Sequence, residues 1–137
     1  MKVVIDTNVI VSALMNTNGT PAKILSLILN GKVKILYGKV KILYDNRIIF
    51  EYIDVLSRED FGFDIEIISD IIDYIMTEGE YVNSEYMNIE FIDEADKKFY
   101  EVHKSGEAQY LITGNIKHFP KENAIIIPKS FLEIFDR

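Results

Sequence analysis

Four carboxylates and one amide, spread along the chain, are the residues whose types and positions suggest chemistry: Asp6, Glu51, Asp93, Asp96 and Asn115. Asp6 closes the β-branched run KVVID, and Asn115 follows the apolar run ending in LITG. Asp93 and Asp96 occupy the first turn of one predicted helix, and Glu51 lies one turn into another. Carboxylates gathered in one place repel one another, and the common remedy is a hard divalent cation. Mg2+ or Mn2+ suits oxygen-only ligands and keeps waters in its shell. Such an ion lowers the pKa of a bound water, and a pair of ions about 3.5 to 4 Å apart steadies both oxygens of an in-line phosphodiester displacement. Residue types alone therefore point to metal-dependent phosphoryl chemistry in an oxygen-rich pocket.

The elements that must position these groups follow from pattern. KVVID reads as a buried strand. NTNGTP reads as a turn, with Thr20 as N-cap and Pro21 at the first helical position, leading into AKILSLILN and a stop at Gly31. Asp45 or Asn46 caps RIIFEYIDVLSRE, and a second helix runs from Asp64 to Gly79. Residues 80–92 carry a weak pattern, a connecting loop or an edge strand. Asp93 starts a helix that ends near Gly106; AQYLIT and NAIII are strands, and PKSFLEIF closes the series as a helix. Strands alternating with helices imply an α/β fold with a mostly parallel sheet covered on both faces. In such sheets ligands bind beyond the carboxyl ends of the strands, where the strand order reverses. All five polar residues are expected at that rim.

A chain of 137 residues fits one domain spanning 1–137. The absence of cysteine excludes thiolate zinc sites, disulfide scaffolds and thiol nucleophiles. No apolar run approaches the ~18 to 20 residues that span a bilayer, and the N-terminus has no secretion pattern, so a cytoplasmic location without membrane contact is expected. The net charge of −7 argues against a broad basic nucleic-acid surface. It is unevenly spread: Thr20 to Arg47 carries six cations against Asp45, a local +5 that leaves −12 elsewhere. That strip is either the solvated face of a strand or a phosphate-contacting strip, for which Lys39, Lys41 and Arg47 are the RNA-contact candidates. His103 and His118 stand alone and read as packing or surface residues. Ser12, Ser57 and Ser105 lack a histidine and acid in triad order.

GKVKILYGKVKILY, residues 31–44, is one heptapeptide written twice. Each copy suits a strand, but seven is odd, so a single straight strand would turn the two copies to opposite faces. The short tie to the following helix places the second copy in the sheet and leaves the first as local excess. It reads as tolerated baggage more than catalytic equipment.

VVIDTNVIVSAL, the helical glutamate of IIFEYIDVLSR, DEADKKFYE and YLITGNIKHFP, in that order, resemble the PIN-domain family, and within it the VapC-like ribonuclease toxins of bacterial toxin–antitoxin systems. The resemblance covers residues 1 to about 135. It implies a three-layer α/β/α fold around about five mostly parallel strands, Mg2+- or Mn2+-dependent hydrolysis of RNA, inhibition by a cognate antitoxin protein, and frequent pairing of two copies. By position, Asp6, Glu51 and Asp96 match the family's metal-holding acids, and Asn115 falls where it has aspartate or asparagine. Asn8, Asp93 and Thr113 take supporting positions. The resemblance leaves two alternatives open. One is a catalytically impaired binding module that holds the antitoxin or self-associates; the other is a metal-dependent phosphatase or DNA nuclease using the same pocket.

Overall fold

The computed structural model describes residues 1–29 and 40–135. Five parallel strands form one sheet: β1 (Lys2–Ile5), β2 (Lys41–Tyr44), β3 (Glu80–Tyr81), β4 (Tyr110–Ile112) and β5 (Ile125–Ile126), in the order β3-β2-β1-β4-β5. Val3, Val4 and Ile5 follow one another and are all buried, as are Ile42, Leu43 and Tyr44. Successive strand residues point to opposite faces, so both faces of the sheet are covered. Among the described residues the cover is six helices: α1 (Thr7–Met15), α2 (Thr20–Leu29), α3 (Asn46–Leu56), α4 (Ile65–Glu78), α5 (Lys97–Ser105) and α6 (Pro128–Phe135). The expected three-layer α/β/α architecture is the one observed.

Local sequence accounts for most of these boundaries. Asp45 begins α3 by accepting the Ile48 N–H at 3.0 Å, and Asp64 begins α4 by accepting that of Glu66 at 2.9 Å. A Cβ on Gly79 would lie 2.3 Å from the Ile75 carbonyl oxygen and 2.4 Å from that of Ile42, so only glycine lets the end of α4 approach β2 this closely. One helix departs from the sequence reading, which has no element between Asp6 and the turn at Asn16, where α1 lies. Val9, Ile10 and Val11 are consecutive β-branched residues with weak helix propensity. Packing overrides it: Val9, Ile10 and Ala13 are buried on one side.

Within the repeat, Lys41–Tyr44 of the second copy forms β2, as expected. The first copy, and Gly38 and Lys39 of the second, lie outside the described residues, and the expectation of local excess falls there. Within β2, Ile42, Leu43 and Tyr44 are buried on alternating faces, while Lys41 is exposed.

Candidate active site

The strand order reverses between β1 and β4: the chain moves from β1 outward through β2 and β3, then returns beside β1 as β4. Asp6 follows β1 and Thr113 follows β4, so both stand at this switch point. The Thr113 hydroxyl donates to Asp6 Oδ2 at 2.8 Å, and the Asp6 N–H donates to the Ile112 carbonyl at 2.9 Å. Asn8 Oδ1 accepts the Gly114 N–H at 3.1 Å, tying the two loops together, and the Asn115 N–H donates to Thr113 Oγ1 at 3.0 Å. Below Asp6, the buried Tyr52 donates its hydroxyl to the Ile5 carbonyl and packs against Phe99. These contacts fix where the Asp6 carboxylate sits.

Asp6 is 4 % exposed. Burial pushes its carboxyl up to about 6; Thr113 opposes this, and the negative charges of Asp96 and Glu51 add to it. Glu51, on the second turn of α3, accepts the Thr7 hydroxyl and pairs with Lys98 Nζ at 2.7 Å. Asp96 ends the 3-10 turn Glu94–Asp96 that leads into α5, and its Oδ2 lies 3.0 Å from His118 Nδ1. Burial raises Asp96 above the usual carboxylate range, against the lowering effect of His118; Asp93 and Glu51 raise it further. The three acids thus feel one another's charge.

They do not all converge as the sequence suggested. Among the described residues, no three histidine, aspartate or glutamate side chains stand together closely enough to hold an ion as they are arranged. The reason is visible in their partners. Lys98 holds Glu51 and His118 holds Asp96, while Asp93 is spent as the cap of the 3-10 turn, accepting the Ala95 N–H at 3.0 Å. Asn115 is exposed at the rim. The donor set nevertheless fits a hard divalent ion. It is oxygen-only, it is already strained by mutual repulsion at Asp6, and the Lys98 ammonium occupies the place of a cation at Glu51.

The proposed RNA contacts fare differently. Lys39 lies outside the described residues. Lys41 pairs in register with Lys2 at the opposite edge of the sheet, about 13 Å of strand away from Asp6. Arg47 is at the correct edge but is engaged within the protein: it pairs with Asp45 and with Glu101, each at 2.7 Å, and donates to Ser84 Oγ at 2.8 Å. Sequence reading also missed two members of the rim. His118 was read as packing or surface and instead meets Asp96; only its position three residues after Asn115 hinted at this. Lys98 had no sequence hint beyond its spacing of two from Asp96.

Residues 2–117 match the family model described as PIN domain, and the chain belongs to that family, whose members are generally nucleases that use divalent metals. An uncharacterized protein of Methanocaldococcus jannaschii is 64 % identical over 33 residues, which is 24 % of this chain and 21 % of that protein. The matched stretch therefore spans about a fifth of that relative's length. No solved structure matches. Among the described residues, no helix is long and apolar enough to cross a membrane.

Proposed function

We propose that the chain is a metal-dependent endoribonuclease and the toxin of a toxin–antitoxin pair. The observation that carries this reading is Asp6: a buried carboxyl at the switch point, raised to about 6 by burial and by the negative charges of Asp96 and Glu51. A buried carboxyl within the field of two further acids calls for a cation. Asp6, Glu51 and Asp96 would hold Mg2+ or Mn2+, which when bound supplies the positive charge that phosphodiester hydrolysis needs at the attacking and leaving oxygens. Thr113 and Asn8 fix the Asp6 loop, Thr7 orients Glu51, and His118 orients Asp96. Asn115, exposed beside them, is placed to meet the substrate strand.

The test is cleavage of RNA, single-stranded DNA and a small phosphate ester by the purified protein, with Mn2+, with Mg2+ and with EDTA, beside Asp6→Asn. RNA cleavage that needs the ion and vanishes in Asp6→Asn is expected; an unimpaired variant sinks the assignment. Preferential turnover of DNA or of the ester moves the reading to a DNA nuclease or a phosphatase. Growth arrest on expression, relieved by a co-encoded antitoxin, tests the biological role.

One observation favours a second reading, an impaired module that binds the antitoxin or pairs with itself: Glu51 is already neutralised by Lys98. A live site gains thermal stability with added Mn2+, and an impaired one does not.

A further inference from the structure

Lys97, the first residue of α5, is 7 % exposed. Among the described residues it has no carboxylate or hydrogen-bond partner; its ammonium rests 4.5 Å from the centroid of the Tyr86 ring. Burying a cation without an anion is costly. The start of a helix makes it more so, because the exposed N–H groups there already favour an anion. Lys97 lines a depression of about 410 Å³ together with Arg47, Lys98 and Tyr86 and the carboxylates Glu51, Glu94 and Glu101. Lys98 is matched by Glu51, and Arg47 by Asp45 and Glu101. Among the described residues Lys97 is therefore the cation of this depression with no carboxylate within ion-pair distance, the exposed Glu94 included.

Tyr86 is 78 % exposed, yet its backbone is held on both sides. The Glu85 N–H donates to Ser105 Oγ at 2.9 Å, and the Met87 N–H to Glu101 Oε2 at 2.8 Å. An exposed ring on a fixed backbone, over an unmatched cation and beside Glu51, is a stacking platform next to a phosphate position. We propose that Lys97 and Tyr86 form the subsite for the nucleotide adjacent to the scissile bond of single-stranded RNA. Lys97 contacts a phosphate and Tyr86 stacks a base. The proposal rests on the ribonuclease reading and adds to it which residues hold the strand beside the scissile bond; bases paired in a duplex cannot stack on a side chain.

The experiment measures binding of a short labelled single-stranded RNA by fluorescence anisotropy in EDTA, so that binding is read without cleavage. Tyr86→Ala is expected to weaken binding roughly tenfold and Tyr86→Phe to leave it unchanged. Lys97→Met should weaken binding several-fold and reduce the slope of log K against log salt by about 0.7, with Lys97→Arg restoring most of both. Lys97→Met should also melt at or above the parent's temperature, since methionine removes a buried charge; a purely structural lysine would not weaken RNA binding in a variant so stable. Parental affinity and salt slope in both Lys97→Met and Tyr86→Ala, or competition by duplex RNA as effective as by single strands, overturns the subsite. A parent that binds RNA through these two residues but cleaves none with Mn2+ upholds Lys97 and Tyr86 as RNA contacts and overturns the ribonuclease reading, and with it their place beside a scissile bond.

Discussion

Thr113 and Asp6, 107 residues apart in sequence, share a hydrogen bond of 2.8 Å across the seam between β4 and β1. This contact closes the reversal in the strand order of the described residues and, with the Asn8 backbone N–H, supplies a donor to a carboxylate that burial takes out of water. It offsets only part of the cost of burial, which still pushes the Asp6 carboxyl up to about 6.

That stress predicts a stability gain from a functional loss. The folded protein binds a proton at Asp6 more tightly than the unfolded chain does, at about 6 against 3.8. The group's stabilising contribution is therefore complete below pH 3.8 and is lost as pH rises through about 6. The difference corresponds to about 3 kcal/mol. Asp6→Asn keeps an acceptor for Thr113 and carries no charge, so in EDTA it should equal the parent near pH 4 and exceed it by up to about 3 kcal/mol above pH 7. Urea unfolding across that pH range checks it. A constant offset between the two curves would show that the charge of Asp6 is not the cause.

Ion binding should carry the same signature in reverse. A ligand carboxylate must be ionised, so Mn2+ affinity should rise as pH passes through about 6. Thr113→Val removes the hydroxyl that favours the ionised form. The midpoint of the affinity curve, read from Mn2+-dependent melting, should then move to higher pH; an unmoved midpoint would mean that Thr113 does not tune Asp6.

A second pH effect has the opposite sign. His103 is 3 % exposed, and neither ring nitrogen has a hydrogen-bond partner among the described residues. Burial, with Lys104 nearby, lowers its pKa below 6.5, so the unfolded chain takes up the proton first. Its contribution is present above pH 6.5 and is lost as pH falls through the lowered folded value. His103→Phe should flatten the acid limb of the stability curve below pH 6.5 and leave the alkaline limb alone. An unchanged acid limb assigns acid sensitivity to other groups.

The rim was legible where chemistry is local and obscure where it is not. Asp6 at a strand end, Glu51 within a helix and Asp93 as a cap follow from neighbours within a few residues, and so do the caps Asp45 and Asp64. Helix α1 was hidden because Val9, Ile10 and Val11 look like a strand until α2 is packed against them. Lys41 was misplaced because a charge strip in sequence does not say which end of a strand faces the site, and parallel pairing with Lys2 decides it. The pairing of His118 with Asp96 depends on two turns meeting, which no periodicity encodes.

Arg47 illustrates a residue whose charge serves the fold. Asp45 and Glu101 are 5 % and 2 % exposed, and Arg47 neutralises both while holding Ser84. Arg47→Met leaves two buried carboxylates without their cation and should cost about 1–3 kcal/mol, the scale of leaving a buried acceptor without its charged donor, since the guanidinium itself is half exposed to solvent. It should also loosen the segment around Tyr86, read as faster hydrogen exchange at Glu85 and Met87. A loss below 1 kcal/mol would mean that water replaces the guanidinium at little cost.

Lys98 decides whether the acidic rim can accept an ion. Its ammonium is 2.7 Å from Glu51 Oε1 and also donates to the Ala95 carbonyl, so an incoming divalent cation competes with it for the same carboxylate. Removing it as Lys98→Met leaves Glu51 beside Asp6 and Asp96 without its ion-pair partner. The protein without metal should therefore melt at a lower temperature than the parent. Added Mn2+ should raise the melting temperature further than it does in the parent, because the ion now relieves a larger repulsion without displacing a lysine, and its apparent affinity should tighten roughly tenfold. Calorimetric titration measures the affinity directly. If Lys98→Met binds Mn2+ more weakly than the parent, the lysine organises Glu51 for the ion; if affinity is unchanged, Glu51 does not belong to the ion's ligands at all.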